Sequence, residues 1–61
     1  MLIYLVTEKY CIWSDNREFV LTNRKKKVIY RGTMAECRDI MNRHPYGMTA
    51  KQIDEFKLKV R

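Results

Sequence analysis

Val28-Ile29-Tyr30-Arg31-Gly32-Thr33-Met34-Ala35-Glu36-Cys37 is the stretch that decides the fold. Its first four residues favour an extended, half-buried backbone. Gly32-Thr33 interrupts that pattern. Thr33 and Glu36 then stand at capping-box spacing, where hydroxyl and carboxylate each satisfy an orphan amide and open a helix. Met34, Cys37, Ile40 and Met41 recur at helical spacing on one face, while Glu36, Arg38, Asp39 and Arg43 point away. Pro45 biases His44 against helical backbone, so the helix stops near Arg43. A strand handed straight to an amphipathic helix implies a small α+β domain.

Upstream, Phe19-Val20-Leu21-Thr22 reads as strand and Asn23-Arg24-Lys25-Lys26-Lys27 as the turn that returns it to Val28. With no glycine at its tip, this hairpin is expected to use a loop of four or five residues rather than a tight type I′ turn. Ser14–Glu18 is turn chemistry. Tyr10–Trp13 is a short strand-forming run, extending or pairing with Leu2–Val6. Leu2–Val6 is continuously apolar, as in a strand covered on both faces. Downstream, Tyr46-Gly47 is a turn and Thr49 with Gln52 a second capping box, opening a short helix. Phe56-Lys57-Leu58-Lys59-Val60-Arg61 alternates at period two, which predicts a closing strand with Phe56, Leu58 and Val60 inward. The alternative is continuous helix with Ile53, Phe56 and Val60 as its stripe. The expected architecture is one domain over 1–61: an antiparallel meander of about three strands on one amphipathic helix, a short second helix and a C-terminal strand.

Charge is localised. The chain carries a formal net charge of +6; residues 1–22 hold Lys9 and Arg17 against Glu8, Asp15 and Glu18, whereas 23–31 hold five bases and no acid. That patch suits a phosphate backbone, anionic lipid headgroups or an acidic protein surface. The competing reading is a solvated loop that keeps a small protein soluble. A chain of 61 residues buries only roughly 60% of its unfolded surface, so a partner subunit is a natural reinforcement and a homodimer is expected, with Leu2–Val6 or an aromatic sheet face at its interface.

Cys11 and Cys37, the only cysteines, are too few for the disulfide framework of a secreted mini-protein and read as buried free thiols. Acidic Glu8 follows Met1–Val6 at once and no small-residue cleavage site appears, so no signal peptide is read; no run reaches membrane-spanning length. The expected location is the cytoplasm.

The hairpin strand, Gly32-Thr33-x-x-Glu36-Cys37 and helix, over residues 19–44, resemble a segment in short phage and mobile-element proteins of Gram-positive bacteria. There the segment is often followed by a Leu-Gly step and another helix. Asn42-Arg43-His44-Pro45 stands in that place, which tells against a helix-turn-helix extension. The resemblance implies a phage-type accessory protein and no biochemistry. In architecture alone, the layout also resembles the sheet-reading domains at the amino end of some tyrosine recombinases.

The functional expectation is nucleic-acid binding. Arg24, Lys25, Lys26, Lys27 and Arg31 would hold phosphates, with Trp13 and Tyr30 (and Tyr4 and Tyr10, if uncovered) stacking on bases or packing beside sugars. At least two of these four aromatics are expected in the core. The alternative is a stoichiometric, anti-CRISPR-like inhibitor of a host enzyme or defence complex, since charge plus large anchors also suits a protein interface. No catalytic residue, metal, cofactor, small-molecule substrate or membrane partner is expected. His44 and Cys37 lie about 10 Å apart along a helix, too far for a nucleophile–base pair. Cys11, Cys37 and His44 lack the spacing and number of a closed zinc site.

Overall fold

The computed structural model describes residues 1–59. Four strands, β1 (Leu2–Val6), β2 (Tyr10–Asp15), β3 (Glu18–Asn23) and β4 (Val28–Gly32), form an antiparallel sheet in sequential order. Two helices follow, α1 (Met34–Arg43) and α2 (Ala50–Lys59), with α1 against β3 and β4 and α2 against β4. The meander is longer by one strand than the shortest reading of the sequence, because Tyr10–Trp13 pairs with Leu2–Val6 instead of extending it.

Both capping boxes form. Thr33 Oγ1 accepts from the Glu36 amide at 3.2 Å and Glu36 Oε1 accepts from the Thr33 amide at 3.0 Å. Thr49 and Gln52 repeat the exchange at 3.1 and 2.9 Å. In α1 the apolar stripe buries Cys37 and Ile40, with Met34 and Met41 packed beside them. These meet Tyr10, Ile12, Leu21 and Ile29 from the sheet. Ile53 is the one buried residue among those described in α2, and Phe56 packs edge-on to Tyr30 at 6.4 Å between ring centroids. Full burial of an Ile contributes about 1.5–3 kcal/mol, so Ile53 is the main anchor of α2.

The expected C-terminal strand does not form. Phe56–Lys59 continues α2, with Phe56 half-buried and Leu58 75% exposed. The Thr49–Gln52 box nucleates a helix and no Gly or Pro stands between Gln52 and Lys59 to stop it. Val60, the last inward position of that strand, lies outside the described residues.

Strand β1 is not covered on both faces either. It is the sheet edge, and the helices lie over β3 and β4, so Leu2, Ile3, Tyr4 and Val6 are 76, 56, 58 and 47% exposed. The helix-free face of the sheet is sealed differently. Val20 is fully buried between its register partners Trp13 and Arg31, and the indole Nε1 of Trp13 donates to buried Thr22 Oγ1 at 2.8 Å. No helix among the described residues is long and apolar enough to cross a membrane.

Candidate nucleic-acid interface

An antiparallel meander places its first and third turns at the same end. Here the β1–β2 turn (7–9) and the β3–β4 loop (24–27) therefore stand side by side. In the first, the Thr7 amide donates to the Tyr10 carbonyl at 2.8 Å and Thr7 Oγ1 accepts from the Tyr10 amide at 3.0 Å. In the second, Asn23 organises the tip: its Oδ1 accepts from the amides of Lys25 and Lys27, both at 2.9 Å, and its carbonyl from the Lys26 amide at 3.0 Å. Lys26 has φ +69°, the left-handed position that closes such loops and that glycine normally fills.

Arg24 braces the two turns. Its guanidinium donates to the carbonyl of Thr7 at 2.9 Å and, more weakly, to that of Glu8 at 3.4 Å. The connection between the helices closes over the same end, where a Cβ on Gly47, which has φ +92°, would stand 3.6 Å from the Lys9 side chain. A cleft of about 520 Å³ results, lined by Glu8, Lys9, Arg24, Lys25, Tyr46 and the start of α2 at Thr49-Ala50. Tyr46 is 90% exposed on its rim.

The five bases expected to act together are not equivalent. Lys25 and Lys26 are exposed at the tip with no ion pair among the described residues. Lys27 pairs with Asp54 of α2 at 3.2 Å. Arg31 is at the far end of β4, beside the β2–β3 turn, held by Asp15 at 3.0 Å and Glu18 at 3.6 Å. The structure thus brings together Lys9, Arg24, Lys25 and Lys26 and leaves Arg31 outside. Lys9 and Tyr46 escaped the sequence reading; the up-and-down order of the strands was the signal that pointed to Lys9.

The aromatics do not form one stacking platform. Tyr10 is 2% exposed, its hydroxyl donating to the His44 carbonyl, and burial pushes its pKa up. Tyr4 lies on the helix-bearing side, edge-on to Phe19 at 5.1 Å. A bulge in β4 turns Ile29 and Tyr30 toward the helices, where the Tyr30 hydroxyl donates to Glu36 Oε2 at 2.7 Å. That hydrogen bond is the chief cause of a raised Tyr30 pKa. Trp13 alone of the four is on the helix-free face, tied to Thr22.

Both thiols are free and buried, Cys11 on the helix-free face and Cys37 in the core. Burial, then the charge of Glu36, raises the Cys37 pKa, which holds it as an unreactive thiol. Among the described residues no three His, Cys, Asp or Glu side chains gather as metal ligands do. Comparison with family models, curated proteins and solved structures returned no match.

Proposed function

We propose that the protein is a non-enzymatic, phage-type accessory protein that binds nucleic acid through its turn end, in a regulatory or architectural role. The observation that carries this reading is the display of Lys9, Lys25 and Lys26 on one rim with no carboxylate paired to them among the described residues. Arg24 fixes the two turns that present them. Three unpaired ammonium groups projecting from one braced end suit the backbone of a duplex or single strand, which supplies anionic charge at regular spacing. Little on that rim reads base edges, so the contact is electrostatic and largely independent of sequence. Cys37, buried and raised in pKa, is a poor nucleophile, which fits a binding role.

The second reading is a stoichiometric inhibitor of a host enzyme or defence complex. Tyr46, almost fully exposed beside Lys9 and Lys25, favours it, because an aromatic anchor flanked by cations suits an acidic protein surface. Binding to fluorescent duplex and single-stranded oligonucleotides across a salt series tests the first reading. A steep fall of affinity with salt supports it, and no binding at low salt removes it.

A further inference from the structure

The exposed large apolar side chains are concentrated at the start of the chain: Met1, Leu2, Ile3, Tyr4 and Val6, with only Tyr46 and Leu58 elsewhere among the described residues. They form one edge of the sheet, and no charged side chain lies between Met1 and Thr7. Natural sheets usually guard such an edge with Lys, Pro or a covering element. The opposite edge, β4, has α2 against it and carries Arg31.

The bulge in β1 gives this edge a symmetry. Ile3 pairs with Trp13 and Val6 with Cys11, which puts Ile3 and Val6 on the helix-free face. Leu5 pairs with Ile12, and Tyr4, the extra residue, packs on Phe19, which puts both on the helix-bearing face. The facial order from Ile3 to Val6 is therefore palindromic about the Tyr4–Leu5 peptide. An antiparallel copy related by a two-fold axis there sets Ile3 against Val6 and Tyr4 against Leu5 of the partner, every pair on matching faces. In a regular strand Ile3 and Val6 would point to opposite faces.

We propose that β1 pairs with β1 of a second copy in this register, giving a continuous eight-stranded antiparallel sheet. Charge favours the same arrangement. The bases Lys9, Arg24, Lys25 and Lys26 lie beyond the C-terminal end of β1, so antiparallel pairing sends the two clusters to opposite ends of the dimer. A parallel pairing would set them side by side. The dimer would offer two separated basic ends to one extended polyanion, a consequence that rests on the proposed nucleic-acid reading; the pairing itself does not.

The test is charge complementation on the intact chain. Wild type is expected to sediment at twice its 7.4 kDa mass at about 100 μM, where a micromolar interface is filled. Ile3→Lys and Val6→Glu should each be folded monomers, with unchanged far-ultraviolet circular dichroism, since both side chains are about half exposed. Mixed together they should form a heterodimer, because the new Lys and Glu face one another across the axis; Ile3→Lys with Val6→Lys should not. A monomeric wild type overturns the proposal, as do dimers that survive both substitutions, which would place the interface away from Ile3 and Val6. A mixture that stays monomeric overturns the register. Binding of nucleic acid is not read in any arm, so failure here leaves the functional reading standing.

Discussion

Arg24 donates to the main-chain carbonyl of Thr7, 17 residues away, at 2.9 Å. The densest basic run in the chain thus gives one of its members to structure, locking two neighbouring turns. A charged hydrogen bond to a carbonyl contributes about 1.5–3 kcal/mol when sheltered and less when exposed, as here. Arg24→Ala is expected to cost about 1 kcal/mol and lower Tm by roughly 4–8 °C. Arg24→Lys should recover part of the loss, since a single guanidinium nitrogen makes both contacts and an ammonium carries enough donors for them on a shorter side chain. Thermal melts of the two variants check this; equal stability of Arg24→Ala and wild type would remove the brace.

Binding to duplex should report which cations meet phosphate. With Lys9, Lys25 and Lys26 as contacts, the slope of log affinity against log salt is expected near −3, from about −0.9 per neutralised phosphate. Replacing any one with Ala should make the slope shallower by about one. Arg31→Ala should leave the slope unchanged, because Arg31 is held by Asp15 and Glu18 at the other end of its strand. An Arg31 effect as large as that of Lys25 would return the interface to the helix-free sheet face. A shallow slope with a dominant loss at Tyr46→Ala would favour a protein partner.

Lys26 offers a substitution whose effects on folding and binding have opposite signs. A non-glycine residue at φ +69° carries a steric cost of about 1–2 kcal/mol that glycine escapes. Glycine also frees the unfolded chain, which returns part of that gain. Lys26→Gly is expected to raise Tm by a few degrees while weakening binding to nucleic acid. A residue kept in a strained conformation at an exposed tip is easier to explain by its side chain than by the turn. Unchanged binding in the stabilised variant would make Lys26 a solvated turn residue and nothing more.

What the sequence revealed was local chemistry. The β3–β4 hairpin, both capping boxes and the end of α1 before Pro45 depend on residues within a few positions of one another, and each forms. Period-two alternation over Phe56–Arg61 misled because six residues can alternate by accident, whereas the uninterrupted helix behind Thr49 had a nucleus. Roles that depend on register were hidden. Arg31 meets Asp15 and Glu18 only because β2, β3 and β4 align those positions, and Tyr30 faces inward only because of a one-residue bulge. Arg24 was legible as a base but not as a brace, since its acceptors are main-chain carbonyls that no motif marks.

The junction between β4 and α1 makes the fold sensitive to acid in a way one carboxylate controls. Glu36 has its pKa lowered from the ordinary 4.5, first by the Thr33 amide, then by the Tyr30 hydroxyl and the Thr33 hydroxyl. A lowered folded value means the carboxylate contributes its stabilisation fully above the unfolded pKa and loses it as pH falls through the folded one. Wild type should therefore hold its Tm from neutral pH to the ordinary glutamate range and lose this contribution below it. Tyr30→Phe removes one donor and brings the folded value nearer the unfolded one, so its loss should begin at the same pH, be smaller and be complete at a higher pH. Glu36→Gln should be less stable than wild type at neutral pH, with a difference that narrows in acid. Gly32 keeps the cluster closed: a Cβ there would stand 2.6 Å from the Tyr30 ring and 2.7 Å from Glu36 Oε1. Gly32→Ala must push the ring aside, and it should show the acid shift of Tyr30→Phe together with a lower Tm at every pH. Melts of the four proteins across the acid range decide it; parallel curves for wild type and Tyr30→Phe would mean that the hydroxyl of Tyr30 does not hold the Glu36 charge.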